Sequence, residues 1–345
     1  MRPPILFLMI FCSLSAFPQS KSYPKLEVLT SGTNTSLRGL SVVSNLVIWV
    51  SGSNGLVGRS NDGGKTWKWF RVKGFEKTDF RDIEAFDATT AIIMATGEPA
   101  FILRTIDGGE SWKVVYENKT KGMFLDAMDF NDKYGVVIGD PIDNHIFLAV
   151  TNDNGEKWEA LNTHTNLYKT NDSEAFFAAS GTNIKILSRI NLNSVNACYV
   201  SGGKSSRLFI GDESKELPII QGEQSTGASS IAIYDKDKMV IVGGDFSHDT
   251  LKKDNCVLAT LNFKTEQIKL SKPYTPPHGY RSCVEYITKE KLITCGTSGV
   301  DISSDGGINW ELISTKSFHV CQKAKKGSRV FLAGSNGKIA MLTFE

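Results

Sequence analysis

The 345-residue sequence predicts an all-β chain folded as one seven-bladed β-propeller with Asp-box turns. Three observations carry that expectation. A box of pattern S/T-x-D-x-G-x-x-W occurs four times, at 60–67, 105–112, 151–158 and 303–310. A β-rich apolar run ending in glycine recurs seven times, closing at Gly52, Gly97, Gly139, Gly202, Gly243, Gly296 and Gly334, with a mean spacing of 47 residues. Between these marks Val, Ile, Phe and Thr alternate, the period of strands rather than of amphipathic helices. A repeat near 45 residues with several short strands per unit is that of a propeller blade.

The first unit shows the plan of a blade. Strand A spans about Leu37–Val43, strand B Leu46–Gly52, strand C Leu56–Ser60; the D-G-G turn follows, then strand D at Trp67–Val72. The seventh unit, Phe318–Glu345, stops at strand C with KIAMLTFE. Its missing outer strand is expected from the N-terminus, Tyr23–Thr30, so that pairing of the chain ends removes an open edge. The fourth and fifth units carry GDESKELP and TLNFKTEQ where boxes would stand.

Residues 1–20 fall outside this fold. Arg2 is followed by an apolar run from Ile5 to Cys12 and then by small residues, the pattern of a secretory signal peptide. The expectation is therefore a secreted or periplasmic, monomeric protein with a single domain over 21–345 and no membrane span. Lys and Arg number 39 against 37 Asp and Glu, with no long basic block, so nucleic acid is not an expected partner.

Five cysteines follow the leader: Cys198, Cys256, Cys283, Cys295 and Cys321. An odd number cannot all pair within one chain, and no spacing fits a zinc template. A turn at 288–290 would set Cys283 opposite Cys295, where a cross-strand disulfide and two buried thiols are the alternatives.

The boxes have a structural explanation. Their glycines supply positive φ, their aspartates (Asp62, Asp107, Asp153, Asp305) accept backbone N–H groups in their own turns, and their tryptophans (Trp67, Trp112, Trp158, Trp310) pack between sheets. Such turns lie on the outer rim, so one constellation repeated around it cannot converge on one site.

These octapeptides resemble the Asp-boxes, or BNR repeats, of sialidases and other exported propellers. Together with RGLSVVSNLVIWVSGSNG, FRDIEAFD, FLDAMDF, IGDPIDNHIF, EAFFAASGT, VGGD and GYRSCVEYI, they resemble a BNR-like group related to the photosystem II stability factor YCF48. Bacterial members of that group carry the labels "oxidoreductase" or "glycosyl hydrolase". The resemblance implies the fold and leaves the chemistry open. No G-x-G-x-x-G lies between a strand and a helix, so a nucleotide cofactor has no motif, and no cofactor or metal is expected. The Arg-Ile-Pro segment and six blades of sialidases are absent.

Propeller ligands sit at the mouth of the central channel, where the inner strands begin. There the chain offers Arg38, Arg81 and Arg281 as binding groups for an acidic saccharide or other anionic ligand, since guanidinium forks match carboxylates. Asp82, Asp126 and Glu174 are candidate catalytic carboxylates, with His319 and Tyr280 as candidate proton-transfer groups. Glu84, Asp129, Ser180, Ser229 and Ser230 share these strands, and Asp140 and Asp245 follow B strands. If the cluster serves a ligand, Arg81→Ala and Arg281→Ala should spare stability; if it is a structural ion network, both should lower it sharply. Two functional classes follow: an exported enzyme acting on acidic glycans by hydrolysis or elimination, and a non-catalytic binding or assembly propeller that docks a protein partner, as for YCF48-type factors.

Overall fold

The computed structural model describes residues 23–30, 33–187, 196–211, 213–235, 237–262, 265 and 267–344; the expected signal peptide lies outside them. Seven antiparallel sheets form seven blades, each with strands A to D from the axis to the rim; the sheet of blade 5 has six strands, because the two-residue strands Glu174–Ala175 and Gly202–Gly203 add to it beside strand A. The A strands are Leu37–Val42, Phe80–Ala85, Leu125–Asn131, Ile184–Ile186, Thr226–Tyr234, Cys283–Tyr286 and Val320–Lys323. Each neighbours the A strand of the next blade, and the seventh meets the first, so the ring is closed.

The sequence pattern follows from the layering. Inner strands are covered on both faces by adjacent blades, so they are continuous apolar runs; Ile48–Gly52, Ala91–Ala95 and Leu292–Gly296 are buried at every position. Outer strands see solvent, and Lys68–Arg71 exposes its terminal charges. The core accordingly lies in the seams: one cluster joins blades 1 and 2 through Trp49, Phe80 and Ile83, and another joins blades 6, 7 and 1.

Blade 7 closes as expected. Pro24–Thr30 runs antiparallel to Ile339–Phe344, with Pro24 opposite Phe344 and Thr30 opposite Ile339, and supplies the outermost strand. Leu26 and Leu29 pack against the cluster of blades 6, 7 and 1.

The box turns share one geometry. The Asp62 carboxylate accepts the Thr66 N–H at 2.9 Å and the Ser60 hydroxyl at 2.8 Å; Gly63 and Gly64 take φ of 79° and 86°. Asp107, Asp153 and Asp305 repeat these bonds with Ser111, Lys157 and Asn309. Those donors hold the exposed Asp62 and Asp107 carboxyls down at about 2. The second glycine of each full D-G-G turn meets the preceding blade: Gly64 faces Leu29, Gly109 faces Phe70, and Gly307 faces Val240. Trp67 and Trp310 donate their indole N–H groups to Gly64 and Gly307, while Trp112 and Trp158 pack into the seams of blades 1–2 and 2–3. Blades 4 and 5, which lack boxes, still complete four strands.

Candidate functional site

Blade 4 departs from its sequence plan. Its A strand is Ile184–Ile186, and the segment EAFFAASGT before it does not line the channel wall as a strand. Residues 176–183 instead cross the channel. The Ala179 carbonyl accepts Arg38 Nη1 of blade 1 at 3.3 Å, Ser180 donates to the Ser282 carbonyl of blade 6 at 2.7 Å, and Thr182 bonds Ser230 of blade 5 at 2.7 Å. Gly181 makes this crossing feasible. Its φ is 67°, and a Cβ there would lie 2.3 Å from the Asp82 carboxyl carbon of blade 2. Gly181→Ala is therefore expected to destabilise by about 3 kcal/mol, from left-handed strain plus displacement of a buried hydrogen-bonded carboxyl. Equilibrium urea unfolding measures it.

The crossing leaves a cavity at each end of the channel. At the end where A strands begin, a cavity of about 420 Å³ is lined by Arg38, Arg81, Tyr280 and His319, by Phe124, Phe176, Phe177 and Phe246, and by the small residues of the crossing. Among the described residues no carboxylate lines it. Arg81 bonds Asp79 at 2.8 Å and lies over the Phe124 ring at 5.7 Å. Arg38 has no ion-pair partner among the described residues beyond its carbonyl contact; burial and the neighbouring Arg81 charge lower its pKa.

His319 is 6% exposed, with Nε2 3.1 Å from the Ser36 hydroxyl and 2.9 Å from that of Ser335. Burial, Arg38, Arg81 and Lys338 lower its pKa to about 3, so at neutral pH the imidazole is uncharged. An unfolded-state His protonates near 6.5. The stability that folding gains from a depressed His is thus complete above that pH and is lost as pH falls toward 3. His319→Gln should flatten the melting temperature across pH 6.5 to 4, which a differential scanning series would show. Tyr280 bonds Ser229 at 3.2 Å, and burial raises its phenol pKa, so it too is neutral.

The other sequence candidates lie elsewhere. Arg281 is fully buried and faces away from the cavity: Nε bonds Asp301 at 2.7 Å, and Nη1 reaches the Tyr280 carbonyl and Ser298 hydroxyl, both at 2.8 Å. In the sequence it stands level with Arg38 and Arg81; in the structure it takes the inward-facing place of Leu37, bonding the Gly243 carbonyl as Leu37 bonds that of Gly334, and Ser282 stands where Arg38 does. Glu174 lies on a two-residue strand paired with Gly202–Gly203, and Arg207 and Ser201 hold it away from the axis. Asp82 is buried and accepts the N–H groups of Ile83 and Met128, each at 2.8 Å; burial pushes its pKa well up against those donors. Asp126 is wholly buried with no aligned hydrogen-bond partner on either oxygen, and burial together with Asp140 pushes its pKa well up. Neither carboxyl lines the cavity. Asp140, inside the strand Tyr134–Ile142, accepts the distant Phe176 N–H at 2.9 Å, and Asp245 caps its own turn by accepting the Ser247 N–H at 2.9 Å.

Glu84 and Asp129 occupy the opposite mouth, paired with Lys325 and Lys185 in a second cavity of about 580 Å³. Among the described residues no group of three or more His, Cys, Asp or Glu is arranged to hold a metal ion, and no helix is long and apolar enough to cross a membrane. The aromatic wall was missed in the sequence. Its one visible signal is Phe246, an apolar residue in the polar turn GGDFSHD, 48% exposed and edge-on to Phe177 and Tyr280.

Residues 18–122 match the family described as Photosynthesis system II assembly factor YCF48. Among solved structures the chain is similar to "YCF48 bound to D1 peptide", with 15% identity, 96% of this chain and 97% of that one covered, and a TM-score of 0.63. It is similar to YCF48 from Cyanidioschyzon merolae at 18% identity, covering 92% and 98% of the two chains with a TM-score of 0.60. The WD40 propeller domain of Doa1 matches at 13% identity, 93% and 97% coverage and a TM-score of 0.58. At these identities the likeness is one of fold. Comparison with curated proteins gives no match.

Proposed function

We propose that this chain, a YCF48-like BNR propeller, is a non-catalytic binding module whose channel mouth takes a carboxylate-bearing, partly apolar peptide segment of a protein partner. The observation that carries the reading is the lining: two guanidiniums with Asp79 as their one ion-pair partner among the described residues, backed by four phenylalanines and, among those residues, no carboxylate. A partly buried guanidinium without a carboxylate is poorly compensated in the free protein, and a ligand carboxylate would supply charge-assisted hydrogen bonds. The rings suit an adjacent apolar side chain. A structure titled "YCF48 bound to D1 peptide" shows that a propeller of similar fold takes a peptide.

Glycoside hydrolysis fits less well. It needs two carboxyl groups flanking the bond, about 5–10 Å apart. The candidates Asp82, Asp126 and Glu174 are all buried and fall outside the cavity lining. An acidic saccharide shares the carboxylate but not the need for four aromatic rings.

Fluorescence polarisation against a labelled peptide library with Asp or Glu beside Phe or Leu tests the reading, with oligogalacturonate as the saccharide arm. Arg38→Ala and Arg81→Ala should each weaken peptide binding about tenfold to a hundredfold, the loss expected for a charge-assisted bond. The melting temperature of Arg38→Ala should stay level or rise, because an uncompensated charge is removed. Peptide binding insensitive to both substitutions, or cleavage of oligogalacturonate, would overturn the proposal.

A further inference from the structure

Three cysteines meet at the seam between blades 6 and 7. Cys283 begins strand A of blade 6, Cys295 lies directly opposite it on strand B, and Cys321 is on strand A of blade 7. All three are buried and free, so the expected opposition of Cys283 and Cys295 is present without a bond between them. The Cys283 Sγ also approaches the other blade. It lies 3.7 Å from Cys321 Sγ, 3.4 Å from the Cys321 backbone nitrogen and 3.3 Å from its carbonyl oxygen.

We propose that Cys283 and Cys321 are a disulfide-forming pair that latches blade 6 to blade 7, with Cys295 as the neighbouring thiol that can exchange into the bond. The oxidant is a low-molecular-weight disulfide. The Cys283 thiolate, its proton lost to solvent, attacks one sulfur of that disulfide; its S–S bond breaks and one small thiolate leaves. The Cys321 thiol then loses its proton and attacks the Cys283 sulfur, expelling the second small thiolate. Two protein thiols are oxidised and one small disulfide is reduced to two thiols. Attack by Cys295 on the Cys283 sulfur would move the bond and release Cys321 with no net electron transfer.

The surroundings favour Cys283 as the attacking sulfur. Burial alone would push its thiol up, but the Cys295 and Cys321 thiols, the Cys321 N–H and the Thr182 hydroxyl approach the sulfur as donors and lower it. Among the described residues Cys198 and Cys256 show no thiol contact, and burial pushes both up. A bond to Cys321 joins separate sheets, whereas one to Cys295 would close only a hairpin; the longer loop constrains the unfolded chain more. Because all three sulfurs are buried, oxidation proceeds as the chain folds or when the seam opens.

The test uses the full chain, refolded from denaturant with oxidised glutathione, trapped with N-ethylmaleimide and digested with trypsin without reduction. The three thiols fall in separate peptides, 282–289, 292–316 and 317–323. The expected product links 282–289 to 317–323 while Cys198 and Cys256 stay alkylated. Cys295→Ser should keep the link and Cys321→Ala should abolish it. If Cys321→Ala does not fold, the wild-type map and Cys295→Ser still decide. Full alkylation of Cys283 and Cys321, or a dominant link from 282–289 to 292–316, would overturn the proposal. So would a melting temperature that does not rise on oxidation and fall back with reductant.

Discussion

Arg281→Ala is expected to lower stability by about 3–5 kcal/mol, because it strands the buried Asp301 carboxylate without its cation. Arg281 and Asp301 are 0% and 1% exposed, and Asp301 also accepts the His278 N–H at 3.1 Å. The same substitution frees the Tyr280 carbonyl and the Ser298 hydroxyl of their shared donor. Replacing both members together, Arg281→Met with Asp301→Leu, should recover most of the loss, since an apolar pair of similar volume leaves no buried charge. Equilibrium denaturation of the two variants gives the comparison. A single variant as stable as the wild type would mean that the pair is solvated. The contrast with Arg38→Ala, where stability should hold while binding falls, separates a ligand-facing arginine from a structural one by measurement.

Deleting residues 23–30 should open the ring. Strand Ile339–Phe344 would become an unpaired edge, and Leu26 and Leu29 would leave the cluster of blades 6, 7 and 1. Burial of those two partly buried leucines contributes about 2–3 kcal/mol, and Gly64 of the first box loses the side chain it packs on. The expected result is a sharply lower melting temperature with aggregation through the exposed edge. The register offers a rescue: Pro24 lies opposite Phe344, so residues 24–30 appended after Glu345 through a short turn would pair as a hairpin on the same edge. Recovery of the melt by that relocation would show that the strand's pairing, not its position in the chain, closes the disc. A deletion variant that melts like the wild type would refute the closure.

The sequence by itself determined the parts that repeat. Blade count, strand order, the box turns and the N-terminal closure are written in local signals: D-G-G at fixed offsets, apolar runs ending in glycine, and a last unit short of one strand. Each acts through bonds within a few residues or through a face buried in every copy, so seven occurrences reinforce one reading. Only the tertiary structure decided the site. Arg38, Arg81 and Arg281 look like equivalent strand starts in the sequence, but Arg281 falls one residue earlier in its blade: it bonds the Gly243 carbonyl as Leu37 bonds that of Gly334, so Ser282 faces the cavity where Arg38 does and Arg281 pairs with Asp301 inside its blade. Glu174 stands in a segment that looks like an inner strand but binds Arg207, while the residues after it cross the channel over Gly181. Those outcomes depend on which charges and backbone groups occupy the same space, whether 20 positions apart as for Arg281 and Asp301 or 141 apart as for Arg38 and Ala179, and such contacts have no period for a sequence to display.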